Sequence, residues 1–244
     1  MTQTEDLYPT AFFRILKLEH GSLYSYMTDP AIEIYRSHMK IDTGHDEGHI
    51  VRVMRNAMNF AHNFVDESAD PDVIIPATIL HDLVNLPKTS LEQRSKSSRL
   101  SAELAIDLLG KNTTFKDNVH RDKIFNAIEA HSYSANVEPL SIEAKAVQDA
   151  DRVDALGMIG IGRLFSVGNS LGREMFHSNE PLPNRWREPD EYKYTVDHFY
   201  TKLIKIQFTM KTTLGKMIAE KLTNKMIKFM NDLKDENIGD YDES

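Results

Sequence analysis

Between residues 46 and 64 the apolar side chains Ile50, Val53, Met54, Ala57, Met58, Ala61 and Phe64 recur at gaps of three and four. That spacing lines one face of an α-helix and matches no face of a strand, whose side chains alternate. The pattern returns along the chain with helix punctuation between its copies. It predicts helices over 72–83, 95–109, 115–130, 158–171, 190–210 and 213–233, one running from a Ser141 cap through Ala155, and shorter ones over 11–20 and after Thr28-Asp29-Pro30. Asp70-Pro71 reads as an N-cap followed by proline in the first turn, and Gly110 as a stop. Pro76 should bend its helix or move its start. The last two helices carry the stripes Val196, Phe199, Leu203, Ile206 and Leu214, Met217, Ile218, Leu222, Met226. No five-residue alternation stands out, and there is no Asn-Gly or Asp-Gly hairpin turn. The expectation is an all-α fold of about ten helices, with 176–192, rich in proline and charge, as the main loop.

The 244 residues have room for a substantial core without staples, and they lack cysteine, which excludes disulfides and thiolate chemistry. Twenty-nine Lys and Arg against 37 Asp and Glu leave a net charge of −8, which argues against nucleic acid as a partner. No apolar run approaches the roughly 18 residues of a membrane span. The first six residues, Met-Thr-Gln-Thr-Glu-Asp, have neither the basic nor the apolar part of a signal peptide, so a cytoplasmic protein is expected.

Three segments carry side chains that core packing does not ask for. In His45-Asp46-Glu47-Gly48-His49 the two histidines stand one helical turn apart. His81-Asp82 follows the apolar run Ile79-Leu80. In Asp149-Ala150-Asp151-Arg152-Val153-Asp154 several carboxylates fall within two turns of an otherwise apolar helix. Imidazoles and carboxylates together suit divalent first-row metals, and a site left partly open to water can activate it. Each segment alone has a plainer reading: a core histidine, a solvated acidic face. Their combination on three helices favours a metal site.

The residues His49…Arg52-Val53, His81-Asp82 and Asp151 within Asp-Ala-Asp-Arg-Val-Asp-Ala resemble the HD-domain metal-dependent phosphohydrolases. Leu83–Lys88, the serines at 95, 98 and 101, Glu129–Ser134, 147–162 and His198–Leu203 are similar to one bacterial subfamily, which includes nucleoside triphosphate pyrophosphohydrolases that work with Mn. The resemblance spans about residues 40–215. It implies a single HD-type helical bundle over 1–244, with its core near 40–160 and C-terminal helices near 190–233 packed on it.

It further implies that His49, His81, Asp82 and Asp151 hold one divalent metal, Mn foremost, with Mg, Fe, Co, Ni or Zn as other choices. Asp82 is then also catalytic, and His45 and Asp46 stand beside the ligands as acid–base candidates. Many relatives carry a glutamate three residues after the His-Asp aspartate. Here that residue is Asn85, which takes no proton, so either a metal-bound hydroxide suffices or the base lies elsewhere, with Asp46 and His131 as the catalytic candidates. Lys88, Arg94 and Lys202 are expected to meet substrate phosphates, and Asp154 a substrate sugar or a neighbouring arginine. The implied reaction is hydrolysis of a phosphorylated small molecule, first a nucleoside or deoxynucleoside triphosphate cut to monophosphate and pyrophosphate. A 5′-nucleotide monoesterase and a non-catalytic nucleotide sensor are the other readings. The apolar C-terminal helices offer a face for a homodimer.

Overall fold

A computed structural model describes residues 24–38, 47–62, 69–86, 91–112 and 116–238. Nine α-helices lie among them: α1 (Tyr24–His38), α2 (Glu47–His62), α3 (Pro71–Leu80), α4 (Leu91–Asn112), α5 (Asn118–His131), α6 (Ile142–Asp154), α7 (Gly157–Ser170), α8 (Ile204–Ile206) and α9 (Thr213–Ile238). The only extended pairings among the described residues are two isolated bridges in the 174–194 region. None of these helices is long and apolar enough to cross a membrane. The helix expected over 11–20 lies outside the described residues.

Helix α3 organises the bundle. Residues 72–80 are buried on every side, as expected of a helix apolar all round. It packs against α1, α2, α5 and α6. Asp70 caps it by accepting the Asp72 N–H at 2.9 Å, with Pro71 in the first turn. Pro76 neither ends the helix nor moves its start. It forgoes one backbone bond, and the packing around it outweighs that loss. The stripe of α2 (Ile50, Val53, Met54, Ala57, Met58, Ala61) is buried as its spacing requires, mainly on α6. The α4 and α5 helices pack on each other, and α5 packs on α6.

Several boundaries differ from the sequence expectation. α1 begins before Asp29-Pro30, because its buried face (Ala31, Ile32, Ile34, Tyr35) docks on α3 and carries the helix past one missing N–H. α3 stops at Leu80 rather than at residue 83, which leaves His81 and Asp82 in the turn that follows. α4 runs through Gly110 to Asn112, since glycine ends a helix only when it turns left-handed. The helix expected over 190–210 is broken. Asp197 accepts the Arg187 side chain and the Asp190 N–H of the preceding loop, and the Asp190 carboxylate accepts the Tyr192 and Lys193 N–H groups, so helical geometry starts only at Thr195. It continues as a π turn over Phe199–Leu203 before the short α8.

Two close approaches fix the outer helices. Gly157 has φ +65, and a Cβ there would meet Leu222 Cδ2 at 2.8 Å, so only glycine suits this turn between α6 and α7. Asp149 on α6 accepts the Lys211 and Thr212 N–H groups at 2.9 and 2.7 Å and ties the start of α9 to the bundle.

Candidate metal centre

Three helices meet at one point. The apolar stripe of α2 turns His49 inward, the end of α3 delivers His81 and Asp82, and α6 brings Asp151 from the other side. His49 Nε2 lies 3.2 Å from His81 Nε2, 3.9 Å from Asp82 Oδ2 and 3.6 Å from Asp151 Oδ1. His81 Nε2 lies 3.2 Å from Asp82 Oδ2 and 3.7 Å from Asp151 Oδ1. Both histidines are fully buried. His49, His81 and Asp82 present ligand atoms that all lie within 4.8 Å of one another.

The second nitrogen of each ring sets what the first one offers. His81 Nδ1 donates to the Thr78 carbonyl at 2.8 Å, and a carbonyl only accepts. His49 Nδ1 donates to Asp154 Oδ2 at 2.7 Å. Each Nε2 is therefore an acceptor in the neutral ring, and two acceptors at 3.2 Å beside two carboxylates call for positive charge between them. Burial resists the charge on His81, but Asp82 and Asp151 outweigh it and lift the pKa to about 9. Burial lowers that of His49, against the pull of Asp154. Burial raises the Asp151 carboxyl, yet the three imidazoles of His131, His81 and His49 bring it below the ordinary value. Two imidazoles and two carboxylates of this kind fit a divalent first-row cation.

A buried hub stands behind the ligands. Asp154, 4% exposed, holds His49, accepts Arg52 Nε at 2.6 Å and accepts Arg163 Nη1 at 2.7 Å. Burial opposes its charge, but these partners keep its carboxyl well below the usual range. On the other flank, His131 Nδ1 donates to the Ile128 carbonyl at 2.6 Å, and its Nε2 faces Asp82 Oδ1 at 3.4 Å.

The centre opens into a cavity of about 240 Å³ that Asp82, Asn85, His131 and Asp151 help to line. Its walls carry Arg152, Arg163, Arg173, His198 and Lys202. Arg152 and Lys202 approach the Tyr133 ring at 5.6 and 5.4 Å. The structure thus brings together His49, His81, Asp82, Asp151, His131 and Lys202. Asp154 sits behind His49 and is not among the cavity residues. Asp46 and Lys88 lie outside the described residues, as does the side chain of Arg94, whose backbone belongs to α4. Sequence reasoning did not single out Arg163, Arg173 or Tyr133 as site residues. No spacing rule marks them, because three different stretches of chain carry them to the same walls.

The family model "HD domain" matches residues 47–156, the stretch that contains His49, His81, Asp82 and Asp151. YpgQ of Bacillus subtilis (strain 168), described as an uncharacterized protein, is 32% identical over 198 residues, 79% of this chain and 84% of YpgQ. A crystal structure of YpgQ in complex with ADP aligns with TM-score 0.61 at 27% identity, covering 84% of this chain and 97% of that one. An HD-superfamily hydrolase from Bacillus thuringiensis aligns with TM-score 0.63 at 28% identity, over 88% of this chain and 98% of its own. A Lactobacillus plantarum structure gives 0.67 at 27%, over 88% and 98%. With the fold and these likenesses in agreement, the chain belongs to the HD-domain superfamily of metal-dependent phosphohydrolases.

Proposed function

We propose that the chain hydrolyses nucleoside or deoxynucleoside triphosphates, releasing pyrophosphate and the monophosphate, with Mn as the working metal. The observation that carries this reading is that Asp82 and Asp151, in contact with the buried His49 and His81, line a cavity that is also walled by Arg152, Arg163, Arg173 and Lys202. Carboxylates and imidazoles at one end and cations along the walls suit a chain of phosphates lying away from the metal. The ADP bound to the similar YpgQ supports a nucleotide as the ligand.

His49, His81, Asp82 and Asp151 would hold a divalent cation, which would supply Lewis acidity and make water more acidic at neutral pH. The chain's own groups do the rest. Asp82 and His131, 3.4 Å apart, take up the proton leaving the attacking water in this reading, in place of a carboxylate at Asn85. Lys202 and Arg152, held around Tyr133, offset charge on the phosphoryl oxygens. Asp154 keeps the His49 ring in the orientation that ligation needs.

The test is a hydrolysis panel with Mn on nucleoside triphosphates, deoxynucleoside triphosphates and monophosphates, with pyrophosphate and orthophosphate measured separately. Pyrophosphate release from triphosphates is expected. Orthophosphate from monophosphates moves the reading to a nucleotidase. Nucleotide binding without turnover makes the protein a sensor.

A further inference from the structure

His198 is a cavity residue that neither the metal centre nor the phosphate contacts account for. Its Nδ1 lies 2.6 Å from Glu191 Oε2, and the Thr201 hydroxyl donates to the same carboxylate oxygen. Both side chains of the pair are shielded, at 18% and 14% exposure. A carboxylate on one ring nitrogen fixes the tautomer and aims the other nitrogen, an arrangement that recurs where an imidazole moves protons.

The loop is built to deliver that carboxylate. Arg187 makes a two-pronged ion pair with Asp197, Nη1 to Oδ2 at 2.5 Å and Nη2 to Oδ1 at 2.8 Å, and Asp197 is fully buried. The Asp190 N–H donates to the same Asp197 at 2.7 Å. These bonds clamp residues 187–190 onto the backbone that carries His198, so Glu191 arrives beside its ring. Thr195 N–H to the Glu174 carbonyl, 2.8 Å, secures the other side. The π turn that follows puts Lys202 in the same cavity, over Tyr133.

We propose that His198, positioned by Glu191, is the proton donor to the departing phosphate oxygen. This rests on the phosphohydrolase reading of the cavity. In the step, the water oxygen bonds to phosphorus, and the bond from phosphorus to the departing oxygen breaks with its electron pair on that oxygen. The Nε2 proton of the His198 imidazolium moves onto it. The proton of the water goes to the Asp82–His131 side, and His198 regains its own from solvent. Glu191 offsets the charge of the protonated ring and is a positioning residue.

The experiment compares the Mn-loaded wild type, His198→Asn and Glu191→Gln on two substrates. One is a nucleoside triphosphate. The other is the 4-nitrophenyl ester of the same nucleoside monophosphate, whose leaving group departs without a proton. His198→Asn should lose about 10²–10⁴-fold on the triphosphate, the usual size of acid–base help, and far less on the ester. Glu191→Gln should show the same selectivity with a smaller loss. It also carries the test by itself if His198→Asn does not fold. Equal losses on both substrates, or none, overturn the proposal and leave the phosphohydrolase reading intact. A wild type inactive on both overturns the two together. Nitrogen NMR of the imidazoles gives a readout apart from turnover. The His198 Nδ1 resonance, identified by its disappearance in His198→Asn, should shift in Glu191→Gln. An unmoved resonance removes Glu191 from the account.

Discussion

Asp154 Oδ2 accepts the Nδ1 proton of His49 at 2.7 Å across 105 residues of sequence, and the same carboxylate holds Arg52 and Arg163. This contact decides which His49 nitrogen faces the metal centre. Asp154→Asn keeps the size of the side chain but removes the charge that orders the ring. Metal affinity should fall about 10–100-fold, the usual cost of losing such a partner, with the helical content retained. Calorimetric titration with Mn measures it, and unchanged affinity would detach Asp154 from the centre.

Metal removal should destabilise the protein. A ligand that binds only the folded state adds about 2.7 kcal/mol at 100 times its dissociation constant. Chelation should therefore lower the melting temperature of the wild type. The melting temperature of Asp82→Ala should not respond to chelator or to added Mn. Calorimetric melts with and without EDTA check both.

The glycines of α7 should separate sharply. A Cβ at Gly160 would run into the Ala155 carbonyl, and one at Gly168 into the Thr195 side chain, while nothing lies within 4 Å of one at Gly162. Gly160→Ala and Gly168→Ala should each destabilise by about 1–3 kcal/mol, the range for forced overpacking. Gly162→Ala should be neutral or gain up to about 1 kcal/mol from helix propensity. Urea melts of the three variants decide it.

Glu143 gives a pH dependence away from the metal centre. It is buried at the start of α6, where its Oε1 accepts the Asp70 N–H and Lys123 Nζ, each at 3.1 Å. Burial opposes its charge, but the Ser141 hydroxyl, the Asp70 N–H and Lys123 outweigh it, so the folded pKa is lowered. A carboxylate lowered on folding contributes stability above its unfolded pKa and loses it as the pH falls through the folded one. Glu143→Gln should therefore cost about 1–3 kcal/mol at neutral pH, as for a charged buried hydrogen bond. That gap should narrow as the pH drops through the acidic carboxylate range. Denaturant melts of both proteins across that range measure the gap, and a constant one would contradict the assignment.

What the sequence made legible was local or patterned. The stripe of α2 and the caps at Asp70 and Ser141 depend on neighbours three or four residues away, and each stands where its spacing put it. The cluster of His49, His81-Asp82 and Asp151 was readable as three short motifs far apart in the chain, which the structure brings together. The break of the helix expected over 190–210 was not readable. It depends on Asp197 meeting Arg187 and the Asp190 N–H, contacts formed by a loop folding back. Lys202 was readable from its segment, but the arginines of the cavity walls were hidden for the same reason. Arg163 and Arg173 look like ordinary surface charges until α7 and the chain after it close over α6. Gly110 misled because glycine permits a helix stop without enforcing one.

We propose that His49, His81, Asp82 and Asp151 hold one metal ion that phosphate hydrolysis requires. Metal-stripped protein titrated with Mn, with triphosphate hydrolysis followed by phosphorus NMR at each addition, tests it most directly. Hydrolysis should be absent at the start, rise until it levels off at one Mn per chain, and stay flat for Asp82→Ala. Full hydrolysis before any metal is added, or an equal rise in Asp82→Ala, would contradict it.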